Sequence, residues 1–414
     1  MDKKISNSFL EKLKGLGVQI GTELISPPRE IKKIFAIQDV IEGYEKTSPL
    51  GSAFIREINY PNGSYHGNVN ILYTYDLDLI FRWAKAPLGT SPNIERILFL
   101  DTETSSLAGG AGTFAFMIGL GYFSKDTFKV VQIFLEDPDK EPAFLYALEE
   151  LAAGFDTLVT FNGKSFDIPV LRNRYFMYQN PNPFDPYNHI DLLHLARRIW
   201  KNRLSSCRLA DLEKEILQFK RSEEEIPGWF VPQIYHDYLF SGDARPLAGV
   251  FYHNQNDVVS MAALINELSL MLGDPYNDKY QNDLFSLGKL FEDLHINSTA
   301  QQIYNYCSRF DLSSDQEVEL LMRAAKLHNR IDGWDQAIEY WSKAAAIGSV
   351  EACIEISKVY EHRNIDLEKA LDSAQRGMNY LSQSPEKVSG TGINHDLIRR
   401  IARIQSKINA KKKD

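Results

Sequence analysis

Ile97-Leu98-Phe99-Leu100-Asp101-Thr102-Glu103 is the stretch on which the reading of this chain turns. Four apolar residues in succession fit a strand buried on both faces of a sheet. Two acids follow at once. In extended backbone, residues two apart point to the same side, so Asp101 and Glu103 can project together from the strand end. Like charges held there repel unless a cation lies with them.

Working outward, residues 114–123 and 128–135 are two β-rich runs separated by Ser124-Lys125-Asp126-Thr127, which predicts a hairpin. A helix is expected over about 141–153, with Phe144, Leu145, Leu148 and Leu151 on its apolar stripe. A strand at 157–161, a helix from about Ile168, a short strand near His189-Ile190 and a helix from Leu192 to about Lys201 complete the alternation. Three antiparallel strands leading into αβαβ units predict an α/β fold, a mixed sheet flanked by helices, over residues 91–278. Beyond it the pattern is wholly helical. Ala300, Ala337 and Ala370 stand 37 and 33 residues apart, the spacing of a helical-repeat array over 279–384, with a plain helical bundle as the alternative. Residues 1–90 carry no chemistry that can be assigned, and 385–414 read as a basic C-terminal tail.

The 414 residues carry 46 Lys+Arg against 55 Asp+Glu, a net charge of −9, which weighs against whole-surface binding to a polyanion but leaves local basic patches open. One such run lies at Arg197, Arg198, Lys201, Arg203 and Arg208, with no acid between them. It is read either as a solvated helix face or as a contact for a nucleic-acid backbone, with Arg197 and Arg198 as the candidate contacts. No apolar run approaches the ~18 residues of a membrane span, and the charged N-terminus lacks the apolar core of a signal peptide. Cys207, Cys307 and Cys353 are too far apart for a CxxC pair, and their odd number argues against a disulfide framework. A cytoplasmic protein without membrane association is expected.

Two further acidic sites accompany the first. Asn162-Gly163-Lys164-Ser165-Phe166-Asp167 follows the strand at 157–161, and Tyr252-His253-Asn254-Gln255-Asn256-Asp257 precedes the helical pattern from Val258. Four carboxylates converging from these places would be prohibitive alone but suit two hard divalent cations. Gly109, Gly110 and Gly112 do not form a dinucleotide fingerprint, since they follow the acidic motif instead of opening a helix. Asp191, between His189 and His194, is read as the N-cap of the helix after it or as a support behind the acidic site, not as part of a zinc site. Trp200 and Trp229 are read as packed side chains, with base stacking as the alternative use.

In order and spacing, Asp-x-Glu, then Asn-x3-Phe-Asp, then an acid preceded by His or Tyr resembles the DEDD-type exonucleases of the ribonuclease H-like superfamily. Asp101 to Leu107 resembles their first motif, Asn162, Phe166 and Asp167 the second, and Asp257 the last. The match covers about residues 94–275. With the repeat-like helices, the chain is most similar to the bacterial YprB-type group, which carries C-terminal tetratricopeptide-like repeats. The resemblance implies a two-metal exonuclease using Mg2+ or Mn2+, with Asp101 bridging the ions and Glu103, Asp167 and Asp257 completing their shells. It further implies DNA as substrate, 3′ to 5′ polarity, a place in DNA repair or processing, and a protein partner such as a helicase at the repeats. Thr104 and Leu107, the latter resembling the family's apolar wedge, would meet the substrate, while Asn162 and Lys164 would position phosphate or orient Asp167. RNA as substrate, and a catalytically silent scaffold that binds partners through its repeats, are the alternatives.

One departure concerns the general base. The family places His five residues before the last acid, or Tyr four before; here Tyr252 stands at minus five and His253 at minus four. On a helix, i−4 lies about 40° from Asp257 and i−5 about 140° away. His253 is therefore the expected base, with Tyr252 second. A neutral imidazole is required, so activity is expected to fall at low pH.

Overall fold

The computed structural model describes residues 35–71, 77–86, 92–106, 110, 112–222, 225–310, 312–331, 333–383 and 391–412. The chain enters through a short helix, α1 (Ile37–Val40), and the strands β1 (Tyr44–Ser48) and β2 (Gly51–Pro61). A two-stranded ribbon, β3 (Tyr65–His66) with β4 (Val69–Asn70), and helix α2 (Asp78–Trp83) follow. Next come β5 (Ile97–Thr104), β6 (Ala115–Ser124), β7 (Thr127–Phe134), α3 (Glu141–Ala152), β8 (Thr157–Thr160), α4 (Asp167–Met177), β9 (Asn188–Asp191) and α5 (Leu192–Trp200). A short helix α6 (Leu209–Leu212) runs into one π-helical turn (Glu213–Leu217), and α7 (Val231–Ser241) leads to the long α8 (Leu247–Gly273).

Seven strands form one sheet in the order β1-β2-β7-β6-β5-β8-β9. Pairing is antiparallel from β1 to β5 and parallel through β5, β8 and β9, as the mixed-sheet expectation requires. The β6–β7 hairpin closes at Ser124 opposite Thr127, with Lys125 at φ +52° in the turn. The sheet also reaches back across the boundary expected near residue 90, because β2 pairs with β7 from Phe54–Phe134 to Pro61–Thr127. Arg56 and Glu57 interrupt the apolar pattern of β2, so its sequence carries little strand signal.

Strand β5 is buried on both faces. Ile97 and Phe99 enter a core with Val130, Val159, Ile190 and the inner face of α8; Leu98 and Leu100 enter the opposite core with Ile118, Leu158, Leu148 of α3 and Tyr235 of α7. The period of two thus assigns Asp101 and Glu103 to the α8 side. Gly119 of β6 lets α8 approach: a Cβ there would lie 2.3 Å from Asn254 Oδ1.

Among the described residues, seven further α-helices follow: α9 (Leu284–Asp293), α10 (Asn297–Cys307), α11 (Ser314–Ile331), α12 (Trp334–Ala346), α13 (Val350–His362), α14 (Leu367–Gln383) and α15 (Thr391–Lys411). Ala300, Ala337 and Ala370 are each the fourth residue of a helix and fully buried. The stretch read as a basic tail is, from Thr391 on, helix α15. Its Arg400, Arg403 and Lys407 all reach Glu361 of α13, at 3.3, 2.6 and 2.8 Å. The two regions are stapled by Arg203, bidentate to Asp283 at 2.6 and 2.9 Å, by Trp200 Nε1 donating to Asp283 at 3.1 Å, and by Arg198 with Asp293 at 2.6 Å. No helix among the described residues is long and apolar enough to cross a membrane.

Candidate active site

Asp101 and Glu103 leave the same face of β5 at its C-terminal end, where β6 shifts register between Glu103 and Thr104. Asp167 is the first residue of α4, reached through a tight turn after β8. Asn162 there adopts φ +68°, and a Cβ on Gly163 would clash with Thr160 at 2.5 Å. Asp191 holds this turn: it accepts from the backbone N–H of Asn162 at 2.8 Å and Lys164 at 3.1 Å while capping α5 at Leu193 N. Both expected readings of Asp191 therefore describe one side chain. Asp167 is fixed in turn by Thr102, whose N–H and hydroxyl donate to Oδ1 at 3.1 and 2.5 Å.

Helix α8 is continuous through residues 252–257, so His253 and Asp257 do share a face, with Nε2 3.7 Å from Oδ2. Asn254 lies between them and the sheet. Its amide donates to Asp101 Oδ2 at 2.9 Å, and its carbonyl accepts from buried Gln132 at 2.9 Å. Tyr252 accepts from Ser222 N at 3.3 Å.

Three residues not anticipated from the sequence complete the surroundings of α8. Arg221 donates to both oxygens of Glu213 at 2.6 Å, to Glu225 at 2.5 Å, and to Asp257 Oδ1. Glu225 Oε1 also lies 2.5 Å from His253 Nδ1. A charged loop gives little sequence signal, and only the four-residue spacing of Arg221 and Glu225 hinted at a pair. Thr102 and Asn254 were likewise hidden, inside motifs whose acids drew the reading.

The electrostatics tie the acids together. Burial, then the charges of Asp257, Glu103 and Asp167, hold Asp101 well above the usual carboxylate range. Burial lifts Glu103 to about 7, with Asp257 and Asp167 adding and His253 opposing. Burial lifts Asp167 to about 6 against the stabilising hydrogen bonds from Thr102. For His253, burial works against the charged form, yet the Glu225 hydrogen bond and the charges of Asp257 and Glu103 carry it up to about 10. The cluster is short of positive charge.

Buried carboxylate oxygens with uncompensated charge are the donor set that hard divalent cations take. Among the described residues, no three His, Cys, Asp or Glu side chains stand as a ready-made cage. Asp167 faces Thr102, Asp101 faces Asn254, and Asp257 faces Arg221.

The remaining candidates separate. Thr104 turns its hydroxyl to Ser106 O at 2.9 Å, and Leu107 lies outside the described residues. Asn162 and Lys164 are exposed. Asn162 and Arg197 line a cleft of about 740 Å³ with Phe161, Leu193, Cys207 and Arg208, while Arg198 is engaged with Asp293. The packed reading holds for Trp200, which is fully buried, and fails for Trp229, which is 70% exposed because the turn bearing it points away from both cores.

Comparison with protein-family models agrees with this architecture. Residues 98–269 match the family model described as RNase_H superfamily. The chain is 29% identical over 369 residues, 86% of each protein, to the protein of Bacillus subtilis described as "Uncharacterized protein YprB". Among solved structures it is similar to a family B DNA polymerase from the archaeon Pyrobaculum calidifontis, at 14% identity and a TM-score of 0.37. It covers 79% of this chain and about half, 52%, of the polymerase. From the strand that carries Asp101 and Glu103 to the helix that carries Asp257, the α/β region of this protein has a ribonuclease H-like fold, a mixed seven-stranded sheet flanked by helices, and matches that superfamily's model.

Proposed function

We propose that the protein is a DEDD-type, metal-dependent exonuclease that hydrolyses phosphodiester bonds of DNA from the 3′ end. The observation that carries this reading is the meeting of the acids of β5, α4 and α8: Thr102, between Asp101 and Glu103, donates to Asp167 at 2.5 Å, and Asn254, three residues before Asp257, donates to Asp101 at 2.9 Å. Two divalent ions, Mg2+ or Mn2+, would supply charge neutralisation for the phosphoryl transition state and acidify a water. Asp101, Glu103, Asp167 and Asp257 would hold them.

The rest falls to the protein's own groups. Thr102 favours the ionised form of Asp167 through its two hydrogen bonds, and Asn254 orients Asp101. His253 takes the proton of the attacking water at Nε2, while Glu225 holds Nδ1 and so sets the ring's orientation. Cations held by the carboxylates would weaken the pull of Asp257 and Glu103 on the imidazolium and so lower its hold on the proton. The cleft with Arg197 and Asn162 offers phosphate contacts that position a strand without reading its sequence. The helical region, with small buried residues in phase in the alternate helices α10, α12 and α14, supports a tetratricopeptide-like array for a protein partner. A helicase and a place in DNA repair rest on resemblance.

A scaffold without turnover is the second reading, favoured by the grip of Arg221 on Asp257. End-labelled single- and double-stranded DNA and matched RNA, incubated with Mg2+, Mn2+ or EDTA, decide between them. Metal-dependent stepwise shortening that disappears in Asp101→Ala is expected; no cleavage of any substrate would leave the scaffold. Shortening of RNA alone would reassign the substrate.

A further inference from the structure

We propose that Trp229, backed by Phe230, is a stacking platform for an unpaired base, so that the site takes single-stranded or frayed ends and not paired ones. The inference rests on the nuclease reading and names its substrate class. Trp229 is 70% and Phe230 40% exposed, with ring centroids 5.5 Å apart and planes at 57°. Two adjacent large aromatics left in water forgo burial that would stabilise the fold, and such rings mark contact surfaces.

Their position is set by the site itself. Gly228, the residue before Trp229, abuts the base: a Cβ on it would stand 3.7 Å from His253 Nε2. The turn Gly228–Phe230 is anchored on both sides. Upstream, Glu225 binds His253 and Arg221. Downstream, His236 of α7 lies 3.0 Å from the carbonyl of Ser105, two residues after Glu103. The turn that carries the platform is thus held between His253 on one side and Ser105, two residues after Glu103, on the other. A flat π-face accepts any base once it is unstacked from its neighbours, whereas a paired base has both faces covered within the duplex.

Binding tests this apart from turnover. Fluorescence anisotropy of labelled DNA oligonucleotides with the full-length protein in Ca2+ would compare a single strand, the same strand with its last three nucleotides abasic, a blunt duplex, and the RNA single strand. Trp229→Ala is expected to weaken single-strand binding by about 5- to 150-fold, the range of base–aromatic stacking, with Trp229→Phe close to wild type. Loss of the terminal bases should remove the difference between wild type and Trp229→Ala, and duplex binding should not respond. The RNA arm tells whether the sugar matters beside the base. Unchanged single-strand binding by Trp229→Ala, or an equal loss on duplex and single strand, would overturn the platform while leaving the nuclease reading intact. A platform confirmed by binding in a protein that cuts nothing would do the reverse. No binding of any nucleic acid would remove both.

Discussion

Replacing Glu103 by Gln should make the metal-free protein more stable, although it removes one of the four acids proposed to act. Burial raises Glu103 from 4.5 to about 7. The folded protein therefore keeps this proton over a range in which the unfolded chain has released it, and folding takes a proton up. Stability must then fall as pH rises between 4.5 and 7. At about 1.4 kcal/mol per unit the cost is about 3 kcal/mol at pH 7, about 1 at pH 5 and almost nothing at pH 4. Glutamine keeps the shape without the charge. In EDTA at pH 7–8, Glu103→Gln should melt about 6–12 °C higher than wild type, at the ~2–4 °C per kcal/mol of a domain of ~150–250 residues. The gap should close by pH 4. Mg2+ should raise the melting temperature of the wild type more than that of the variant, because cations bind the ionised cluster. A variant less stable than wild type at pH 8 in EDTA, or a gap that ignores pH, would refute the account of a charge-starved acid cluster.

Arg221→Ala leaves Glu213, Glu225 and Asp257 without their shared cation and should cost about 3–5 kcal/mol, the toll of breaking a buried ion pair; urea denaturation reads it, and a loss under ~1 kcal/mol would show that the network does not hold the loop to α8. Gly119→Ala places a methyl against Asn254 and should destabilise by about 1–3 kcal/mol through overpacking. It should also lower turnover more than it weakens substrate binding, since Asn254 orients Asp101; steady-state kinetics would separate the two. Glu225→Gln removes the hydrogen bond that raises His253, so the acid limb of the pH–rate profile should move to lower pH and kcat should fall. An unmoved limb would mean that Glu225 does not act on His253.

The alternation of Ile97 to Glu103 decided much before any coordinates were known. A doubly buried strand and two acids on one face follow from the period of two, and the hairpin and the βαβ units follow from local pattern. Helix periodicity paired His253 with Asp257, and the spacing of Ala300, Ala337 and Ala370 marked three helices in phase. These are short-range properties, written in neighbouring residues.

Contacts between distant segments left no such trace. Nothing local joins β2 to β7, Thr102 to Asp167, or Asn254 to Asp101, since each pair meets only when the sheet closes on α8. Arg198 and Arg203 looked like a continuous basic face and became staples to Asp293 and Asp283, because a charge finds its partner through the fold and not along the chain. Trp229 was open to either use until the fold left it exposed, in the turn whose Gly228 meets His253. Residue types and spacing determined which groups this protein has for chemistry; only tertiary packing decided which of them face one another, because burial and Coulombic coupling depend on distance in space.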